Sequence, residues 1–114
     1  MISFACQRIK FEDLIRCSFN LNKTELKLLQ ILINLNREVK TSQLAESLDM
    51  DRSSIQKGIS GLLNKGLAKR RQVNLEKGGY FFYYSTLKKS EIKESMNKII
   101  NAWYQEVSKE IEAW

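Results

Sequence analysis

The stretch from Thr41 to Gly66 constrains the fold of this chain more than any other, because it predicts two short helices joined by a tight turn. Thr41 is the expected N-cap of the first helix, the turn falls at Asp49, and Asp51 is placed to cap the second helix. Gly66 suits the left-handed position just past its end. In both segments the apolar residues recur at helical spacing: Leu44, Ala45 and Leu48 in the first, and Ile55, Ile59, Leu62 and Leu63 in the second.

Two small residues support a close crossing of these helices. Ala45 and Gly58 fall where the crossing is expected, and a glycine inside a helix costs roughly 1 kcal/mol relative to alanine. Gly58 should therefore have a packing reason. The pattern predicts a helix-turn-helix, although an ordinary helical hairpin would give the same periodicity.

The outward face of the second helix contains no acidic residue. Short, polar or basic side chains of this kind can enter a major groove and pair with base edges. A solvated helix face is the alternative, but such faces usually mix Glu with Lys. The predicted base-contacting residues are Ser53, Ser54, Gln56, Lys57 and Ser60.

The positive charge is concentrated in one part of the 114-residue chain, whose formal net charge is +6. Residues 52–77 contain seven basic residues against Glu76 alone, whereas the remainder has twelve basic and twelve acidic residues. A localised excess of this kind indicates nucleic-acid binding. An anionic membrane would call for a basic amphipathic helix with a wide apolar face instead.

Two strand-like runs follow Gly66, over residues 67–73 and 80–84, with Gly78 and Gly79 at the expected tip of a hairpin. A hairpin directly after a recognition helix is the wing of a winged helix. An edge hairpin protected from aggregation by Lys and Arg is the alternative, and exposed aromatic side chains on the second strand could stack on single-stranded nucleic acid. The predicted contacts to the DNA backbone are Thr41, Arg52, Lys69, Arg70, Arg71 and Lys77.

The flanking segments are predicted to be helical. A first helix is expected within residues 1–19, and Asn22 with Glu25 forms a capping box before an apolar central helix. The pattern of residues 87–114 predicts a last helix of about 25 residues, with a length of ~37 Å. The preceding winged-helix part of the chain is too small to cover its whole apolar stripe. The apolar stripe of this helix is the predicted dimer interface: Ile92, Met96, Ile99, Trp103, Val107, Ile111 and Trp114. The alternative is that the helix folds back over residues 1–19 of its own chain.

Several functional classes are disfavoured. The sequence has no histidine, no nucleophile elbow and no phosphate loop, so we expect no enzyme, no cofactor and no metal site. Cys6 and Cys17 are expected to be small buried hydrophobes on one helix, too far apart for a disulfide. No membrane span or secretory signal is recognisable, so a cytoplasmic location is expected.

The chain from about Leu21 to Tyr84 resembles the winged-helix regulators of the MarR and TrmB-like families, especially small archaeal ones. The matching motifs are LNKTE at 21–25, TSQLAESL at 41–48, RSSI at 52–55 and LLNKGLA at 62–68. Two features differ from the families: Asp49 stands at a turn position often held by glycine, and the wing lacks the Asp-Arg-containing motif common in MarR proteins. The resemblance implies a homodimer, with termini packed between subunits, on a palindromic DNA site.

We therefore predict one domain over 1–114, mainly α with a small β-hairpin: a winged helix-turn-helix with its core at 21–86 and dimerisation elements at 1–19 and 87–114. The predicted function is a sequence-specific regulator that binds double-stranded DNA as a homodimer. The alternative is a winged-helix protein-interaction module without sequence-specific DNA binding. A small-molecule effector is compatible with this fold, but no residue identifies its pocket.

Overall fold

The computed structural model describes all residues from Met1 to Trp114 and contains five helices and two separate antiparallel hairpins. None of its helices combines the length and apolar character needed to cross a membrane. The elements follow in the order β1 (Ile2–Phe4), β2 (Gln7–Ile9), α1 (Phe11–Phe19), α2 (Lys23–Leu35), α3 (Thr41–Leu48), α4 (Arg52–Asn64), β3 (Ala68–Asn74), β4 (Tyr80–Thr86) and α5 (Lys89–Ala113).

The core lies where α2, α3 and α4 meet the inner face of the second hairpin. The most completely buried side chains come from the predicted apolar faces of these helices, which confirms the periodicity: Leu28, Leu29, Leu32, Leu44, Ile55, Ile59 and Leu62. Tyr84 of β4 and Ile92 of α5 close the same cluster.

The predicted helix boundaries are confirmed at most ends of α2, α3 and α4. The Asn22 side chain accepts from the Glu25 N–H at 2.8 Å, and the Glu25 carboxylate accepts from the Asn22 N–H at 2.9 Å, which is the predicted capping box. Asp49 adopts the left-handed conformation with φ 51°, and Gly66 does so with φ 72°. The prediction that Thr41 is the N-cap of α3 was wrong, because Thr41 is the first helical residue. Lys40 is the N-cap, because its N–H donates to the Gln43 side chain at 2.9 Å.

Gly58 has a packing reason, but the partner is not the one expected. A Cβ at this position would collide with the Leu28 side chain and approach the Thr24 methyl carbon at 3.1 Å, and both belong to α2. The glycine therefore permits a close approach of α2 and α4, whereas the prediction placed it at the crossing of α3 and α4.

The hairpin after α4 is the predicted wing. Strands β3 and β4 pair from Ala68 with Thr86 to Asn74 with Tyr80. Gly78 and Gly79 at its tip have positive φ values of 93° and 85°, which confirms their predicted role. Val39 forms an isolated bridge with Tyr84 and ties the wing to the loop before α3.

The first nineteen residues do not form one helix, so that prediction was wrong over its N-terminal half. β1 and β2 pair as a short hairpin, with Ile2 opposite Ile9 and Phe4 opposite Gln7, and only α1 is helical. Strands of three residues are too short to reveal their alternation in a sequence. Cys6 at the hairpin turn and Cys17 on α1 are both exposed, which corrects the expectation of two buried thiols on one helix.

Helix α5 is covered only in its first half. Its buried residues are Ile92 and Met96, and α1 packs against the helix. We call residues 101–114 the distal half of α5. There Trp103 is 60% exposed, Ile111 65% and Trp114 fully, which confirms that the body leaves the far end of the stripe uncovered. The overall dimensions are 66 × 24 × 22 Å.

Candidate DNA-binding face

Helix α4 presents its acid-free face to solvent. Asp51 caps the helix by accepting the Ser54 N–H at 2.7 Å. Hydrogen bonds from the backbone and hydroxyl of Ser54, aided by the positive charge of Lys57, lower the pKa of Asp51. Ser54 is half-buried and engaged in this cap, whereas the other predicted base-contacting residues are exposed: Ser53, Gln56, Lys57 and Ser60.

A groove of about 670 Å³ lies between the starts of α3 and α4 and strand β4. Its lining combines basic, hydroxyl and amide groups with aromatic rings: Lys40, Thr41, Ser42, Arg52, Ser53, Gln56, Phe81, Phe82 and Tyr84. It therefore joins predicted base-contacting residues to the predicted backbone contacts Thr41 and Arg52.

Lys40 is a residue of this face that the sequence analysis missed. Its ammonium nitrogen lies 4.2 Å from the centre of the Phe81 ring, within the range of a cation–π contact. Lys40 precedes α3 and lies outside the basic segment at 52–77, so neither periodicity nor charge clustering marked it.

Thr41 and Gln56 meet across the two helices of the motif. The Thr41 hydroxyl lies 3.5 Å from Gln56 Oε1, at the long limit of a hydrogen bond. The start of α3 is thus in contact with the exposed face of α4.

Arg70 and Arg71 lie on opposite faces of the wing, because successive residues of a strand alternate. The Arg70 guanidinium lies 4.7 Å from the Phe82 ring centre, on the face that includes buried Tyr84. Arg71 instead lies over Tyr83 and donates to the Glu38 carboxylate. Its Nε lies 3.0 Å from Oε2 and 3.3 Å from Oε1, and its Nη2 lies 3.0 Å from Oε1. Residues 69–71 therefore do not form one continuous basic surface.

The Glu38–Arg71 pair shifts the pKa values of both groups in the direction that favours their charged forms. The hydrogen bonds from Arg71 lower the pKa of Glu38, and those to Glu38 raise the pKa of Arg71. Lys65 is engaged as well, since its ammonium lies 2.7 Å from the carboxylate of buried Glu25. Two of the seven basic residues between 52 and 77 are thus paired with carboxylates of α2 and the loop after it.

The five other basic residues of the segment are exposed and form no ion pair, which leaves most of its excess positive charge available: Arg52, Lys57, Lys69, Arg70 and Lys77. No group of three Cys, Asp or Glu side chains lies close enough together to hold a metal ion.

The three-helix core, the helix-turn-helix of α3 and α4, and the hairpin after it define a winged-helix protein. Residues 15–93 match the family described as "Sugar-specific transcriptional regulator TrmB", and the chain belongs to this family. It is therefore a DNA-binding transcriptional regulator, as the resemblance implied.

Several known proteins are similar to this chain. A solved structure from Methanosarcina mazei, described as a possible transcriptional regulator, is 35% identical, with a TM-score of 0.91 over 100% of this chain and 96% of its own. Protein MJ1082 of Methanocaldococcus jannaschii, named as uncharacterized, is 33% identical over 96% of this chain and 92% of its own length. A regulator of the MarR family from Enterococcus faecalis shares the fold, with 16% identity and a TM-score of 0.56 over 96% of this chain and 99% of its own.

Proposed function

We propose that the protein binds specific sites in double-stranded DNA as a homodimer and regulates transcription in the cytoplasm. Helix α4 enters the major groove, and the wing contacts the adjacent backbone or minor groove. The observation that carries the proposal is the exposed, acid-free face of α4 together with the guanidinium of Arg70, which is exposed and forms no ion pair.

The exposed residues of α4 recognise the base sequence of the DNA. Gln56 is suited to a bidentate contact with adenine, Lys57 to guanine or phosphate, and Ser53 and Ser60 to either kind of base edge. Ser54 contributes less than the others because it is half-buried and its hydroxyl is engaged with Asp51.

The DNA backbone is held from both sides of the groove described above. Thr41 and Arg52 contact phosphates at the starts of α3 and α4, and Lys40 joins them. Arg70, Lys69 and Lys77 contact the backbone from the wing. Arg71 joins them only after its release from Glu38.

The homodimer is supported by the uncovered stripe on the distal half of α5, because soluble chains seldom leave large apolar patches in water. A two-fold dimer places two copies of α4 on one side of the duplex, so the site should be a palindrome with half-sites about one helical turn apart.

Selection of binding sites from random duplex DNA tests this function. We expect an enriched palindrome, and binding that weakens steeply with salt because cations are released from the duplex. Gln56→Ala should relax the base preference at one position of each half-site, by about 1–3 kcal/mol. The matched control is Gln105→Ala on α5, which removes the same side chain far from α4. No enrichment over non-specific binding would overturn the proposal and favour a protein-interaction module.

A further inference from the structure

The wing carries two neighbouring arginines whose guanidinium groups have different surroundings. Arg70 lies over the Phe82 ring and forms no ion pair. Arg71 donates to the Glu38 carboxylate through both Nε and Nη2, each at 3.0 Å. This is the one ion pair of the structure that includes a residue of the wing. Glu38 therefore distinguishes two side chains that have the same charge and adjacent positions.

The backbone fixes Glu38 beside the wing. Val39 and Tyr84 exchange two hydrogen bonds, with N–O distances of 2.9 and 2.8 Å, which tie the segment before α3 to the edge of β4. Val39 is buried, and successive side chains of an extended segment alternate between two faces. Glu38 and Lys40 accordingly share the outer face of the wing, where both Lys40 and Arg71 lie over the Tyr83 ring. The carboxylate is thus held in place before any DNA is bound.

The Glu38 carboxylate occupies an edge of Arg71 that a DNA phosphate would also use. A guanidinium pairs with carboxylates and with phosphates in the same way, through two parallel N–H groups. The side chains of Arg71 and Glu38 are 58% and 41% exposed, so a phosphate can reach the pair from solvent. An ion pair this exposed is weak, and a well-placed phosphate can replace its carboxylate.

Arg71 is close to the expected path of the DNA backbone. Lys40 lines the groove at the starts of α3 and α4, and its ammonium lies 5.9 Å from the centre of the Tyr83 ring. The Arg71 guanidinium lies 5.1 Å from the same centre, so the two cations are no further apart than the sum of these distances. Phosphates of one strand follow each other every ~3.4 Å along the duplex axis, so a strand that reaches Lys40 can reach Arg71 within about three phosphates.

We propose that Glu38 is a specificity-determining residue, which withholds Arg71 from DNA unless the bound sequence places a phosphate beside it. On an arbitrary sequence α4 has no fixed register, and Arg71 stays with Glu38. On the preferred sequence the base contacts of α4 fix the position of the backbone, and a phosphate replaces the carboxylate. The inference rests on the proposed function and deepens it, because Glu38 lowers binding to DNA that α4 does not recognise.

Glu38→Gln tests this role, because it removes the charge and keeps the size of an exposed side chain. Fluorescence anisotropy measures the affinity for two duplexes of equal length, the selected palindrome and a random sequence. On the random duplex we expect an affinity about fivefold higher at low salt, and a slope of log K against log salt that is steeper by about 0.9, as one more phosphate contact requires. On the palindrome the gain should stay below about twofold with an unchanged slope, because Arg71 already contacts a phosphate there.

Two further variants separate the release of Arg71 from the change in charge. Glu46→Gln on α3 removes the same charge from an exposed residue that forms no ion pair, and it should leave both affinities nearly unchanged. Glu38→Gln combined with Arg71→Ala should show no gain on the random duplex, because no guanidinium is released. A gain that persists without Arg71 would overturn the proposal, as would no gain or equal gains on the two duplexes.

These outcomes are distinguishable from a failure of the proposed function. If selection yields no preferred sequence, the specificity role of Glu38 fails together with sequence-specific binding. If a palindrome is enriched and Glu38→Gln strengthens binding to both duplexes alike, only the role of Glu38 fails.

NMR of the arginine side chains gives a second test that does not depend on affinities. The Arg71 Nε–H signal, assigned by its loss in Arg71→Lys, reports which group accepts from this N–H. Saturation with the random duplex should leave the signal at its position in the free protein, whereas saturation with the palindrome should move it. A signal that moves with both duplexes, or with neither, would overturn the proposal.

Discussion

Helices α4 and α5 carry the same kind of apolar stripe but use it differently. In α4, Ile55, Ile59 and Leu62 are completely buried, and the polar face opposite them is free. In α5 the stripe is buried at Ile92 and Met96 and then continues into solvent through Trp103 and Ile111. Periodicity thus identifies the apolar face of a helix, but it does not say whether the same chain covers that face.

The comparison also separates two roles of the surface. The exposed side of α4 is polar and positive, as a surface for DNA should be, whereas the exposed stripe of α5 is apolar and flanked by acids. We therefore expect substitutions in α4, and in the residues of α2 packed against it, to affect folding and DNA binding. Substitutions in the distal half of α5 should affect the association of two chains.

The largest difference should appear when one isoleucine is removed from each stripe. Ile59→Ala leaves a cavity in the core and should lower the free energy of unfolding by about 2–5 kcal/mol. Ile111→Ala should change the stability of the monomer by less than about 0.5 kcal/mol, because this side chain is largely in water. Urea unfolding over a range of protein concentrations measures the free energy of unfolding of both variants. Equal losses of stability for the two variants at low protein concentration would contradict the comparison.

The next largest effect concerns Gly61, where α4 approaches α2. A Cβ there would fall on the Glu25 carboxylate, which accepts from the Asn22 N–H and pairs with Lys65. Gly61→Ala should therefore destabilise the protein by about 1–3 kcal/mol, despite the better helix propensity of alanine. Ser60→Ala, on the exposed face of the same turn, should be nearly neutral in thermal unfolding. A stabilised Gly61→Ala variant would show that Glu25 moves aside without cost.

A smaller effect should distinguish the two arginines of the wing. Arg70→Ala should weaken binding to all DNA sequences and reduce the slope of log K against log salt by about one. Arg71→Ala should have less effect, because Glu38 already holds that guanidinium; the double variant should resemble Arg70→Ala. Lys109→Ala on α5 removes the same charge and serves as the control. Gel-shift titrations at several salt concentrations measure the slopes, and equal effects of Arg70 and Arg71 would contradict the assignment.

The smallest effect is the pH dependence of the Glu38–Arg71 link. Because Arg71 lowers the pKa of Glu38, the link stabilises the fold above the ordinary pKa of glutamate and is lost as the pH falls through the lower folded-state value. Carboxyl NMR titration should show a depressed pKa for Glu38 that returns toward its ordinary value in Arg71→Ala. An unchanged Glu38 titration in that variant would indicate that the pair does not persist in solution.

Local features of the sequence predicted much of this structure. The Asn22–Glu25 box, the Asp51 cap and the glycines at the wing tip each depend on residues a few positions apart, and all are present. The exposed end of α5 was also predicted, because the apolar stripe is longer than the winged-helix body.

Features that depend on contacts between residues far apart in the chain could not be predicted from local sequence patterns. Glu38 and Arg71 are 33 positions apart, and Glu25 and Lys65 are 40 apart, so charge counting included arginine and lysine side chains that are already paired. Gly58 was recognised as a packing residue, but its partner, Leu28, lies on another helix. The groove shared by α3, α4 and β4 depends on the same tertiary arrangement.

The placement of both tryptophans on the distal half of α5 has a consequence for optical measurements. Neither indole lies in the core, so the intrinsic emission of the protein should respond weakly to melting of the winged-helix body. A blue shift with rising concentration would instead report the covering of α5, which makes the chain its own fluorescent probe of assembly.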